Sequence, residues 1–287
     1  MKITRIESLV FGVDDIPTSA RYYDDWGLKR VDQGAAGIDY ELPSGQSLKL
    51  RQAGDSGLPA PVEGGSTLRE CIWGVDNAQS LDEIGAALGK DQKVVRDSSG
   101  TLHAKDPWGM PIAFQLEKPK AVPPSSARMN KPFMPKEHVT PTRMGHVVFF
   151  VPKERAREIS DFYEERLGFR LSDRSGGLGD FFRCAGAQDH HNLFLLARPK
   201  AGGFNHVAFE VNGFDEVLQG GNFMKEKGWK PATKLGRHIL GSNIFWYFDN
   251  PSGGNTEYFA DMDVMDDNWV PRFWEKHPGW AYWELDR

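Results

Sequence analysis

The sequence predicts an α+β fold in two related halves, each half a pair of βαβββ modules. Three observations lead there: a weak internal repeat, strand-like and helix-like stretches in the same order in both copies, and a proline-rich break between the copies. With 287 residues the chain is long enough for two modest domains with their own cores. Its 39% apolar and 26% charged residues are an ordinary globular balance.

The repeat opens with Thr4-Arg5-Ile6-Glu7-Ser8-Leu9-Val10-Phe11-Gly12-Val13, matched at an offset of 138 by Thr142-Arg143-Met144-Gly145-His146-Val147-Val148-Phe149-Phe150-Val151. Each strand-like stretch leads into a helical one that closes on a similar phrase, Tyr22-Tyr23-Asp24-Asp25-Trp26-Gly27-Leu28 and then Phe162-Tyr163-Glu164-Glu165-Arg166-Leu167-Gly168-Phe169. Ala156, Ile159, Tyr163 and Leu167 fall at helical spacing, and Gly27 and Gly168 read as helix stops. Cys71 to Val75 pairs with Val207 to Val211, each before a further helix. The first of these helices is expected to open at the capping-box pattern Ser80-Leu81-Asp82-Glu83. Both halves end on a turn and strand, Asp106-Pro107-Trp108-Gly109 against Asn250-Pro251-Ser252-Gly253.

These matches divide the chain into a first domain over 1–120, a linker over 121–141, a second domain over 142–262 and a tail over 263–287. Residues 118–141 carry six prolines and no periodicity. The tail crowds Trp269, Phe273, Trp274, Trp280 and Trp283 together. It either packs on the body or a neighbouring subunit, or covers an aromatic ligand.

Several classes are excluded. No apolar run approaches the ~18 residues of a membrane span. The net charge of −5 comes with scattered basic residues, so no stripe for nucleic acid is present. The first residues lack a signal-peptide core, and Cys71 and Cys184 read as buried small hydrophobes in a reducing compartment, so a cytoplasmic location is expected.

Three candidate ligands occupy comparable places in the second half: His146 in its first strand, His206 in its third stretch and Glu257 in its last. They lie 60 and 51 residues apart, so only a fold that sets these strands side by side unites them. Two neutral imidazoles and one carboxylate suit a non-haem Fe(II) site with open positions, and Mn(II) accepts the same donors. A lone strand histidine is usually structural. Here the first half offers Ser8, Glu70 and Ala113 at the aligned positions, the pattern of a duplicated domain with one surviving metal site.

With these residues the sequence resembles the type I extradiol catechol dioxygenases of the vicinal-oxygen-chelate superfamily, in their two-domain form. The resemblance rests on Gly236-Arg237-His238, on Tyr247 nine residues later, on Pro251-Ser252-Gly253 with Glu257, and on His190-His191-Asn192-Leu193. It implies paired βαβββ modules around incomplete barrels, iron(II) or less often manganese(II) in the C-terminal domain, and a homo-oligomer. It also implies that O₂ and a catechol meet there, giving a muconic semialdehyde-type product. By the same resemblance His146, His206 and Glu257 hold the metal and His238 and Tyr247 line the diol, while His191 assists the oxygen chemistry and donates a proton as the O–O bond breaks. His190 is expected to be structural, His103, His138 and His277 surface or packing residues, and Glu70 a relict or structural acid. Arg237, Arg272, Asn243 and Trp246 are open between pocket and elsewhere. The rivals are a glyoxalase, isomerase or transferase of the same superfamily, an oxygenase of the hydroxyphenylpyruvate type, and a module that only binds an aromatic ligand. His191, His238 and Tyr247 favour the dioxygenase.

Overall fold

The computed structural model describes residues 1–34, 36–121, 138–199 and 202–285. Most of the expected linker, and the last two residues of the expected tail, lie outside the described residues. The first half runs β1 (Ile3–Val13), α1 (Ile16–Asp25), β2 (Lys29–Gly34), β3 (Gly37–Glu41), β4 (Ser47–Gln52), then β5 (Thr67–Val75), α2 (Ala78–Leu88), β6 (Val95–Arg96), β7 (Leu102–Lys105) and β8 (Pro111–Leu116). The second half repeats that order with β9 (Arg143–Pro152), α3 (Ala156–Asp161), β10 (Arg170–Ser175), β11 (Gly179–Arg183), β12 (Leu193–Arg198), then β13 (Gly203–Glu210), α4 (Phe214–Glu226), β14 (Gly236–His238), β15 (Ile244–Asp249) and β16 (Asn255–Ala260). Two short strands, β17 (Arg272–Trp274) and β18 (Ala281–Glu284), follow. No helix among the described residues is long and apolar enough to cross a membrane.

Each half is therefore βαβββ twice, as its sequence predicts. The first sheet has the order β2-β3-β4-β1-β5-β8-β7-β6 and the second β17-β10-β11-β12-β9-β13-β16-β15-β14-β18. In both, the two modules meet at an antiparallel central pair, β1 with β5 and β9 with β13. A parallel strand flanks each member of that pair. The late aromatic segment does not stand apart: β17 and β18 extend the two edges of the second sheet.

Helix starts and stops follow local chemistry. Asp15 caps α1 by accepting from Thr18 N at 2.9 Å, with Pro17 in the first turn where a missing N–H costs nothing. Gly27 then takes a positive φ of 91°, and a Cβ there would meet the Val139 carbonyl oxygen at 1.9 Å, so only glycine fits. The second helix departs from expectation. It begins at Ala78, with Asn77 accepting from Ser80 N, while Ser80 Oγ accepts from Lys2 N at 3.1 Å instead of capping. The sequence shows two plausible caps there, and the engagement of Ser80 with the chain start selects Asn77. The helical stretch with Ile159 and Tyr163 buried runs as α3 and then as one π-helical turn over Phe162–Arg166.

One continuous apolar core joins the halves. The α1 face supplies the junction: Trp26 stacks on Tyr258 with centroids 3.6 Å apart and planes 2° apart. Around it Tyr258 Oη donates to Trp26 O at 2.8 Å, Asn250 Nδ2 donates to Tyr23 Oη at 2.9 Å, and Trp229 Nε1 donates to Asp25 at 2.8 Å. Tyr22 Oη and Thr256 Oγ1 share a short hydrogen bond. Thr256 and Tyr258 flank Glu257 on β16 and, by strand alternation, point to the opposite face from it. The helix of one half thus backs the strand that carries a candidate ligand in the other.

Candidate metal centre and its cavity

Strand register assembles the three ligands. His146 on β9 lies opposite Ala208 on β13, and Ala208 lies opposite Glu257 on β16. A bulge in β13 pairs Phe204 with Phe149 and His206 with Val148, which re-aims His206 towards the same point. The three side chains are buried, with their potential ligand atoms within 4.8 Å of one another. His146 Nε2 lies 3.0 Å and His206 Nε2 3.2 Å from Glu257 Oε2. Neighbouring ligands of one ion, each about 2.1 Å from it, sit about 3 Å apart, so these spacings suit a shared divalent cation.

The hydrogen bonds around them say the same. His206 Nδ1 donates to Asn205 Oδ1 in a short bond, which leaves Nε2 a bare lone pair facing a carboxylate oxygen. That atom has no hydrogen-bond partner, and neither has His146 Nδ1. A lone pair buried against a carboxylate is costly unless a cation stands between them. Burial pushes the Glu257 carboxyl up, but His146 and His206 outweigh it and hold it ionised, well below its ordinary range. Asn243 Nδ2 steadies the other oxygen of Glu257 at 2.9 Å. Gly145 precedes His146 because a Cβ there would strike the Phe259 ring at 2.2 Å, and that ring packs against His146 with centroids 5.1 Å apart.

A cavity of about 160 Å³ opens over this face. His146 and His206 form its floor, and His191, His238 and Tyr247 stand around it. Its wall is Val148, Leu178, Phe181, Phe194, Leu196 and Leu240, and Trp280 closes one side. His238 Nδ1 donates to the Trp280 carbonyl at 3.1 Å, so its Nε2 is the acceptor for Tyr247 Oη at 3.0 Å. Burial lowers His238 to about 4 and pushes the Tyr247 phenol up, which keeps both groups neutral at pH 7. Burial likewise lowers His191 well below an ordinary histidine.

All six candidate site residues therefore meet in one place. Four residues left open or set aside on sequence grounds fall elsewhere. Arg237 donates to Asp261 and Ser242 O, and Arg272 donates to Asp173, so neither reaches the cavity. Trp246 lies in the core. Asn243 stands behind Glu257 instead of bordering the cavity. Sequence reasoning missed His277, which lines the cavity and shares a hydrogen bond of 3.0 Å with Ser175. No spacing signal marks a residue that arrives on a returning tail.

The first half sets other residues at the same registers. Ser8 lies opposite Ile72 and Ile72 opposite Ala113, the registers of His146, Ala208 and Glu257. Val10, Ile72 and Ala113 pack there as a small apolar cluster. His103 lies opposite Ala113 as Tyr247 lies opposite Glu257, and His103 Nδ1 sits 2.8 Å from Glu70. Burial works against the charge on His103, but Glu70 and then Asp97 more than offset it and raise its pKa. The stabilisation is therefore full below the ordinary histidine pKa near 6.5 and is lost as pH rises through the raised value. His103→Gln is expected to flatten the fall in melting temperature between pH 6 and 9, read by thermal unfolding at each pH. A parallel shift of the whole curve would contradict this.

Comparison with known proteins narrows the chemistry. Residues 143–258 match the model of the Glyoxalase/Bleomycin resistance protein/Dioxygenase superfamily. That match lies wholly within the second half of the chain. The chain is 40% identical over 129 residues to Metapyrocatechase 2 of Cupriavidus necator, a match over 45% of this chain and 39% of that protein's length. The whole fold is shared with the Mn(II)-bound glyoxalase from Novosphingobium aromaticivorans, at TM-score 0.78 and 23% identity over 96% of this chain and 89% of that one. It is shared equally with the 2,3-dioxygenase LapB from Pseudomonas sp. KL28, at TM-score 0.77 and 18% identity over 96% and 98%. A fold shared with both a glyoxalase and a dioxygenase leaves the reaction to the site residues.

Proposed function

We propose that the chain is an extradiol ring-cleaving dioxygenase acting on a catechol with an apolar substituent. In this reading His146, His206 and Glu257 hold a divalent ion, Fe(II) before Mn(II), within a catalytic domain over 142–262. The domain over 1–120 carries no metal, and the enzyme is a cytoplasmic homo-oligomer. The observation that carries the reading is the convergence of His191, His238 and Tyr247 on an apolar cavity above the two-histidine, one-carboxylate face. An isomerase or thiol transferase has no use for that trio, and a binding module has no use for the buried ligand set. The relative named a metapyrocatechase supports the same reading.

When bound, the ion would lower the pKa of a coordinated hydroxyl and fix the diol in place. The remaining work belongs to the chain. Tyr247 and His238 form a hydrogen-bonded pair beside the diol, and the pair can accept and hold a proton at His238 Nε2. His191 stands across the cavity, its ring 4.2 Å from that of His146, placed to take up a proton from the reacting groups and to return it to oxygen. The Leu178, Phe181, Phe194 and Leu240 wall excludes water and packs a ring substituent.

Among the described residues no lysine or arginine lines the cavity. A carboxylate-bearing catechol would bury its charge without a partner there. After anaerobic loading with Fe(II), O₂ uptake and absorbance scans are expected to show a yellow product with one O₂ consumed per catechol. Alkyl- or aryl-catechols should exceed carboxylated ones by at least about tenfold in kcat/KM. No uptake with any catechol, despite one metal per chain, would sink the dioxygenase and promote the isomerase or transferase rival.

A further inference from the structure

His191 does not stand alone. Its Nδ1 is 3.0 Å from His190 Nδ1, and His190 Nε2 is 2.7 Å from Asp173 Oδ2. Asp173 and His190 are both fully buried, and neither lines the cavity. Asp173 also accepts from Arg272 Nε at 2.8 Å, from Arg272 Nη2 at 2.5 Å and from Trp274 Nε1 at 2.9 Å. Arg272 and Trp274 lie on β17, whose parallel pairing sets Arg272 opposite Asp173.

For a neutral His190, proton counting along this row has one outcome. Burial pushes the Asp173 carboxyl up, but the bonds from His190, Arg272 and Trp274 outweigh it and keep it ionised. An ionised carboxylate only accepts, so His190 Nε2 carries a hydrogen. In a neutral His190 the Nδ1 atom is then bare, and the hydrogen between the two rings belongs to His191 Nδ1. His191 Nε2, which has no hydrogen-bond partner among the described residues, is left as a lone pair.

We propose that Asp173 and His190, clamped from the sheet edge by Arg272 and Trp274, are positioning residues that hold the His191 ring and fix its tautomer with Nδ1 protonated and Nε2 a free acceptor. The catalytic relevance of that tautomer rests on the dioxygenase reading; the tautomer itself does not. Asp173→Asn is the decisive variant. Oδ1 takes Arg272 Nε and Trp274 Nε1, and Oδ2 takes Arg272 Nη2 and His190 Nε2. Of these four donors only the imidazole can turn acceptor, so the amide oxygen settles on the Oδ1 side and the NH₂ on the side of His190, where Arg272 Nη2 gives up its acceptor. His190 Nε2 must then accept, its Nδ1 donates to His191, and the His191 hydrogen moves to Nε2. A comparable loss of the correct tautomer is a known consequence of an Asp-to-Asn change beneath a catalytic histidine.

The test uses the full chain loaded with diamagnetic Zn(II) and labelled with ¹⁵N-histidine, because ¹⁵N shifts distinguish the two neutral tautomers. Wild type is expected to show His191 protonated at Nδ1, and Asp173→Asn at Nε2. A wild-type His191 protonated at Nε2 overturns the proposal even if the variant does not fold. In the Fe(II) enzyme, Asp173→Asn is expected to lower kcat about a hundredfold or more, with KM for the catechol and the metal content unchanged. An unchanged kcat beside a switched tautomer overturns the positioning role in turnover. A wild type that consumes no O₂ with any catechol removes the dioxygenase reading instead, and the NMR result then decides the tautomer proposal by itself.

Discussion

Replacing His146 with alanine is expected to abolish stoichiometric metal binding and to lower ring cleavage at least about a thousandfold. Its Nε2 is one of three potential ligand atoms grouped within 4.8 Å, and the other two cannot close a facial set. The ion supplies several kcal/mol of charge stabilisation, and each 1.4 kcal/mol is tenfold in rate. Metal per chain and O₂ uptake measure the two losses. The first half provides the control: Ser8 occupies the equivalent register, so Ser8→Ala should leave metal content unchanged. A His146→Ala protein that retains one tightly held metal and its turnover would show that the centre lies elsewhere.

The largest effect on stability is expected at Trp26. It is fully buried and stacked on Tyr258, and its loss leaves a void where α1 meets the second sheet. Truncating a buried large aromatic costs about 3–5 kcal/mol, and the lost stacking accounts for about 0.5–1.5 kcal/mol of it. Trp26→Ala should lower the urea midpoint accordingly with little change in slope. It should also weaken metal binding, because Tyr258 neighbours Glu257 on β16. Metal affinity unchanged beside a large loss of stability would mean that the carboxylate strand does not depend on this support.

Much of the architecture was legible because the chain states it twice. A single His146 or His206 says little, but Ser8 and Glu70 in the other copy turn each into half of a comparison. Strand registers then place Ser8 with His146 and Ala113 with Glu257, as the repeat implies. The α2 start was misread because Asn77 and Ser80 are both good caps, and only the tertiary contact of Ser80 with Lys2 separates them. His190 is expected to be structural, and it lies outside any strand, off the cavity, held between two partners. Its partner Asp173 stands 17 residues away with nothing in the local pattern to mark it. Long-range meetings of this kind, like those of His277 with the cavity and Arg272 with Asp173, arise from how β17 and β18 return to the sheet. Periodicity carries no information about such a return.

The shared core has a thermodynamic consequence. Because Trp26, Tyr22 and Tyr23 are packed into the second sheet, residues 3–116 cannot unfold without exposing the back of the metal strand. The two halves should therefore melt as one cooperative unit, and ligation at one end should be felt at the other. An ion at a hundred times its dissociation constant adds about 2.7 kcal/mol to the folded state. That increment should appear as slowed hydrogen exchange in β1 and β5, which hold none of the three ligands.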